Sequence, residues 1–177
     1  MNHADHVRLL QPGVPGPGGV WADLGSGSGA FTLALADLIG PAGEIYAIDK
    51  DRRVLQELTR LFHSRFPTYP ANALVTLEAD FTRRLNLPAL DGIVMANSLH
   101  FYRDKQAILS LVKSYLRPGG RFLLVEYNVD QGNMWVPYPL SFHTWVELAK
   151  RAGFSQSQWL ASVPSRFLKE IYSAVSW

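Results

Sequence analysis

The run Asp23-Leu24-Gly25-Ser26-Gly27-Ser28-Gly29 carries three glycines at alternate positions. Without Cβ atoms, such residues let a backbone turn tightly and approach a ligand closely. Read as Gly25-x-Gly27-x-x-Ala30, the run matches the G-x-G-x-x-G/A fingerprint of dinucleotide sites. Asp23 opposes that reading, because a pyrophosphate on this turn would face a carboxylate two residues before the first glycine. A ligand carrying an ammonium and a sulfonium, and no phosphate, would be attracted instead. S-adenosylmethionine is such a ligand. Asp49 follows the apolar run Glu44-Ile45-Tyr46-Ala47-Ile48 and can accept hydrogen bonds from both hydroxyls of a ribose. NAD sites use the same device, and a helix cap would use the same side chain. In Glu78-Ala79-Asp80-Phe81 a carboxylate could accept from an adenine amine while Phe81 covers the ring. A capping aspartate beside a core phenylalanine fits that stretch equally well.

These groups work together only if the chain brings them to one place, and the pattern of elements does so. Residues 20–24 read as a buried strand running into the glycine turn. A helix over 30–39 is closed by Gly40 and Pro41. Strands follow at 44–48, 74–78 and 92–96, with a helix over 51–66 whose Val54, Leu55, Leu58, Leu61 and Phe62 share one face. Asp104 can cap a helix through 116, Pro118-Gly119-Gly120 stops it, and a fifth strand occupies 121–127. Ser141 can cap a helix through 151, and strands at 156–162 and 167–175 close the chain. Alternating strands and helices imply a parallel sheet covered on both faces. The three-residue link Val163-Pro164-Ser165 is too short for a parallel crossover and long enough for a hairpin. The expectation is a single-domain α/β fold, a Rossmann-like doubly wound sheet of about seven strands, mostly parallel with an antiparallel last strand. Residues 1–19 form a short leader and a Pro/Gly-rich loop, readable as a plain connector or as a hinge or lid, and 20–177 form the domain.

In this order, the pieces VWADLGSGSGAF, EIYAID, LEADF, LDGIVMANSLHF, LRPGGRFLLVEY and the two-strand ending resemble class I S-adenosylmethionine-dependent methyltransferases. The resemblance runs from Val20 to the end of the chain and implies a seven-stranded sheet with an antiparallel seventh strand. It also implies S-adenosylmethionine as cofactor and S-adenosylhomocysteine as product. Carried over by position, Asp23, Gly25, Ser26, Gly27 and Gly29 would hold the methionine part, and Asp49 with Lys50 beside it the ribose. Asp80 and Phe81 would meet adenine, and Asn97 would lie at the methionine end on the floor of the active site. The stretch Asn97-Ser98-Leu99-His100 differs from the Asn/Asp-Pro-Pro-aromatic signature of exocyclic-amine methylation. It looks more like small-molecule methyltransferases of the quinone-biosynthesis and trans-aconitate type.

His100, just past the fourth strand, is the candidate general base, since histidine titrates near neutrality. His143 and Tyr127 are weaker candidates. Tyr127, Trp135, Tyr138 and His143, in and around an aromatic, proline-containing stretch, could form an apolar acceptor pocket; the alternative is a surface loop pinned by its aromatics. Composition narrows the rest. The chain has 177 residues, no cysteine and a formal charge of +2. Disulfides, thiolate metal sites and cysteine nucleophiles are excluded, along with the covalent route to 5-methylcytosine and cysteine-dependent arsenite methylation. No metal site is expected. The basic residues form scattered pairs such as Arg52-Arg53 and Arg83-Arg84, not a stripe that tracks a phosphate backbone. The reading is therefore methyl transfer to a small, apolar or aromatic metabolite, by a cytoplasmic protein without a signal segment or membrane span, with nucleic acid disfavoured and a homodimer left open. The alternatives are an RNA or protein methyltransferase, or a non-catalytic cofactor-binding partner subunit.

Overall fold

The computed structural model describes residues 1–177. Its seven strands form one sheet in the order β3-β2-β1-β4-β5-β7-β6. They are β1 (Gly19–Leu24), β2 (Gly43–Asp49), β3 (Leu74–Glu78), β4 (Leu90–Ala96), β5 (Leu116–Tyr127), β6 (Ser157–Ser165) and β7 (Lys169–Ser176). All neighbouring pairs are parallel except β5/β7 and β6/β7, so β7 alone runs against the rest. The expected fold class and hairpin ending are both present. The strand order reverses between β1 and β4, which places a crevice at the carboxyl ends of these strands.

Five helices cover the sheet: α1 (His3–Leu10), α2 (Ala30–Ile39), α3 (Arg52–Arg65), α4 (Gln106–Tyr115) and α5 (Phe142–Arg151). Alternation along β5 divides the core. Leu123, Val125 and Tyr127 join a cluster with α1 and α2, while Phe122 and Leu124 join one with α4 and α5. Glu126 lies on this second face and is fully buried. The leader is a full two-turn helix, closed at its start by a capping box between Asn2 and Asp5. Leu9 and Leu10 of α1 are completely buried in the first cluster, each contributing about 2 kcal/mol of transfer free energy. The following loop packs Gly13 against Leu123 and Leu160 and enters β1 at its amino end, so it is a connector and not a lid over the crevice.

Three boundaries differ from the sequence reading. β5 starts at Leu116, which pairs with Leu90, and residues 117–120 bulge outward, with Gly119 at φ +78°, before pairing resumes at Arg121 opposite Gly92. β6 continues through Val163-Pro164-Ser165, which moves the hairpin turn to residues 166–168. Pro164 is tolerated there because β6 is an edge strand and a missing N–H costs no ladder bond on the open side. α4 begins after Lys105: the Asp104 carboxylate accepts from the Gln106 N–H, yet Lys105, with no side-chain cap bond, is the cap residue, one position later than expected.

Candidate active site

The glycine turn is tied to the end of β2. Ile48 O accepts from the N–H groups of Gly25 and Ser26 at 2.8 and 3.0 Å. Asp49 Oδ2 accepts from Gly27 N–H at 2.9 Å, and Oδ1 accepts from Asp51 N–H at 3.0 Å. The cap of α3 is Asp51, whose side chain accepts from Arg53 N–H, so Asp49 ties the turn to the helix entry and its place in the cleft leaves the ribose contact as the open role. Gly25 and Gly27 hold φ of +79° and +53°, where side chains with a Cβ are strained. A Cβ on Gly25 would press on Ser98 and Phe81, whereas one on Gly27 would meet nothing and project into open space.

That space is a cleft of about 380 Å³ lined by Gly25, Gly27, Asp49, Lys50, Asp80, Phe81 and Asn97, together with Ala79, Ser98, Phe101 and Tyr102. Seven sequence-derived residues thus meet at one site. Phe81 is both buried and cleft-lining, and Tyr102 stands edge-on to it at 5.4 Å. Asp80 Oδ1 accepts from the hydroxyl and N–H of Thr82, which hold its carboxyl below the usual range. Asn97 takes a left-handed φ of +51°, its N–H donates to Val125 O, and its buried Oδ1 has no partner.

Three expected residues lie off the cleft. Asp23 is 1% exposed and accepts from the Thr32 hydroxyl at 2.6 Å, beneath the turn. Burial pushes its carboxyl up to about 7, the Thr32 hydrogen bond opposes this, and Asp49 adds to it. Ser26 is buried with an unpartnered Oγ, and its carbonyl accepts from Gly29 N–H. Gly29 packs against Leu58 of α3, so its lack of a side chain serves helix packing.

Beside the cleft, His100 is 3% exposed. Its Nδ1 lies 2.9 Å from Glu126 Oε2, and the His100 backbone N–H donates to Glu126 Oε1 at 3.0 Å. The ring packs against Phe101 at 4.3 Å and Tyr127 at 5.8 Å, and no protein hydrogen bond reaches Nε2. Tyr127 lines a separate recess of about 490 Å³ with Met1, Phe167 and Ile171. Tyr138 donates its N–H to His100 O, while Trp135 is 70% exposed. His143 is exposed on α5 near Asp130 and lines neither space.

Residues 22–122 match the protein family described as "Methyltransferase domain". The chain belongs to this family. Two curated relatives are ribosomal RNA large subunit methyltransferase E of Chromobacterium violaceum and demethylmenaquinone methyltransferase of Symbiobacterium thermophilum. The first is 26% identical over 151 residues, covering 76% of this chain and 64% of the relative. The second is 29% identical over 112 residues, covering 62% of this chain and 43% of the relative. This chain therefore spans less than two thirds of either. A methyltransferase from Aquifex aeolicus, described as SAM dependent, shares the fold with a TM-score of 0.74 at 18% identity, over 97% of this chain and 88% of that one.

S-adenosylmethionine, the cofactor of this methyltransferase fold, suits the residues present. The unpartnered Asn97 Oδ1 offers an acceptor, and Gly27 leaves the turn open where a side chain would fill the cleft. Asp49 and Asp80 offer acceptors, and Phe81 and Tyr102 an aromatic wall. The sequence reading missed Ala79, Ser98, Phe101 and Tyr102 as lining residues, although the last three lie within two residues of His100. It also missed Glu126, whose signal was a lone acid in the apolar strand RFLLVEY. No helix is long and apolar enough to cross a membrane.

Proposed function

We propose that this methyltransferase domain transfers a methyl group to a small apolar or aromatic acceptor, with His100 taking the acceptor's proton where the nucleophile must lose one. One observation carries the reading: the glycine turn, Asp49, Asp80, Phe81 and Asn97 line a single cleft, and the His100–Glu126 pair stands at its side. Bound in the cleft, S-adenosylmethionine supplies a methyl activated on a sulfonium. Asp49 is placed to accept from ribose hydroxyls and Asp80 from the adenine amine, Phe81 and Tyr102 enclose the base, and Asn97 receives the ammonium end. Glu126 accepts from His100 Nδ1–H and so fixes the tautomer that leaves the Nε2 lone pair free. Alignment supplies much of the remaining rate, because the barrier to in-line displacement falls steeply once nucleophile and methyl are held in contact. Exposed Phe101 and the Tyr127 recess give apolar surface beside His100 for the acceptor. The likeness to demethylmenaquinone methyltransferase supports a ring-bearing small molecule.

The likeness to a ribosomal RNA methyltransferase favours a second reading, RNA as acceptor. Scattered cations weigh against it, since phosphate contacts need clustered charge. Calorimetric titration with S-adenosylmethionine, S-adenosylhomocysteine and NAD(H) tests the cofactor: micromolar binding of the first two and none of the third is expected. Homocysteine-coupled turnover on a panel of phenols, quinols and short RNAs then tests the acceptor. Turnover confined to RNA, with strongly salt-dependent RNA binding, would replace the first reading with the second. Cofactor binding with no turnover on any acceptor would favour a non-catalytic subunit.

A further inference from the structure

Lys105 is charged and only 7% exposed. Its Nζ donates to Tyr102 O at 2.7 Å and to Tyr138 O at 2.9 Å, and it lies 5.9 Å from the centre of the Tyr138 ring. No carboxylate pairs with it, and burial holds its pKa below the ordinary lysine value, with Glu126 opposing the shift. Burying an ammonium against two neutral carbonyls is costly, so the two carbonyls it joins are informative. Tyr102 lines the cofactor cleft. Tyr138 belongs to the loop between β5 and α5, and its N–H donates to His100 O at 3.0 Å.

The loop is otherwise fastened at its ends and within itself. Asn128 bonds Glu170 and Phe142 N–H, Asp130 accepts from Ser141, and Asn133 Oδ1 accepts from the N–H groups of Trp135 and Val136. Hydrogen bonds from its middle to the segment bearing His100 and Tyr102 are made at Tyr138 alone, one through its N–H and one through Lys105.

We propose that Lys105 is a positioning residue that couples the cofactor cleft to the acceptor side, holding Tyr102 and Tyr138 together so that filling the cleft orders the β5–α5 loop around His100. The proposal rests on the cofactor reading above. Movement of Tyr102 against Phe81 is passed through the ammonium to Tyr138, and from the Tyr138 N–H to the His100 backbone. Lysine suits the task because its three donors can serve several carbonyls at once. Methionine at this position would keep the apolar stem and lose every donor.

Hydrogen exchange of the amides of residues 133–136, 138 and 140, with and without S-adenosylhomocysteine, tests this on the wild type, Lys105→Met and Lys105→Gln. Calorimetry on the same samples reports whether S-adenosylhomocysteine binds. In the free protein, Lys105→Met should speed exchange at Tyr138 at least tenfold, and Lys105→Gln, which keeps an amide donor, less. In the wild type, S-adenosylhomocysteine should slow these amides at least fivefold. In Lys105→Met the ligand should bind within threefold of wild-type affinity yet slow them less than twofold. A merely structural lysine would leave ligand-dependent slowing intact, and that result would overturn the coupling. Unchanged exchange at Tyr138 in free Lys105→Met would overturn the latch itself. Wild-type loop amides that ignore a bound ligand would overturn the coupling even if neither variant folds. Absence of S-adenosylhomocysteine binding to the wild type would show that the cofactor reading had failed and taken the coupling with it. The free-protein comparison would still judge the latch separately.

Discussion

Asp23 offers the sharpest test of the electrostatics beneath the glycine turn. Its carboxyl titrates at about 7 in the folded chain against 3.8 for an unburied one, chiefly because burial penalises the charge. The folded state therefore holds this proton more tightly than the unfolded state. Stability from this group is full below pH 3.8 and is lost as pH rises through 7. At about 1.4 kcal/mol per unit, integration between the two values gives a loss of about 2 kcal/mol by pH 5 and about 4 kcal/mol by pH 8. Asp23→Asn keeps an oxygen for the Thr32 hydroxyl and removes the titration. Urea unfolding, followed by tryptophan fluorescence at pH 5 and pH 8, isolates the effect because other titrating groups are common to both proteins. With m near ~2 kcal/mol/M, the wild-type midpoint should fall by about 1 M more than that of the variant over this interval. Midpoints that move in parallel would refute a neutral, buried Asp23.

Other substitutions separate binding from packing. Gly27→Val should fold with a cost of about 1–2 kcal/mol for its positive φ and lose at least ~100-fold in S-adenosylmethionine affinity, since its side chain enters the cleft; unchanged affinity in the folded variant would reject the placement. Gly29→Ala should do the reverse, losing about 2–4 kcal/mol in a thermal or urea melt through the clash with Leu58, with calorimetric affinity nearly kept. Asp49→Ala should weaken cofactor binding by about 1.5–3 kcal/mol, as expected for charge-assisted hydrogen bonds; a loss under a few tenths would move the ribose contact elsewhere. Glu126→Gln should lower kcat about 10–100-fold on acceptors that must lose a proton while leaving cofactor affinity within a few-fold, and equal turnover at pH 7 would remove the pair from catalysis.

The parts of the site that could be read in advance are backbone-dictated. Alternating glycines before a helix, an acid at the end of β2 and an acid-aromatic pair after β3 mark strand ends, and parallel strands bring their carboxyl ends together. Gly25, Gly27, Asp49, Asp80, Phe81 and Asn97 were legible for that reason. Asp23 was legible as an acid of the turn and not as a buried one, because its burial depends on α2 delivering Thr32 across β1. Side-chain pairings between distant elements left weaker traces. His100 with Glu126 joins residues 26 apart, and Lys105 with Tyr138 joins residues 33 apart. Neither partner can be chosen without knowing that β4 lies beside β5 and which face each side chain takes. The aromatic loop was readable as an acceptor pocket or as a pinned surface loop, and composition could not say which side chains turn inward: Val136 and Leu140 do, while Trp135 and Met134 face solvent.

The argument that favoured a cationic ligand began with Asp23, and its burial beneath the turn makes that argument depend on whether Asp23 ionises when the cofactor binds. A carboxyl poised at about 7 is largely neutral at pH 5.5 and can be ionised by a cation brought close to it. If S-adenosylmethionine places its ammonium against the turn, the bound state lowers the Asp23 pKa, and binding releases a proton. Affinity must then rise with pH. Should the bound-state value drop below 5.5, the gain between pH 5.5 and pH 8 approaches ~30-fold, and Asp23→Asn should abolish it. Titrations at the two pH values, repeated in buffers of different ionisation enthalpy, measure both the gain and the released proton. A flat wild-type affinity, or an equal slope in the variant, would mean that Asp23 supports the turn through Thr32 and does not sense the charge above it. The preference for a cationic cofactor would then rest on Asp49, Asp80 and Asn97, which line the cleft directly.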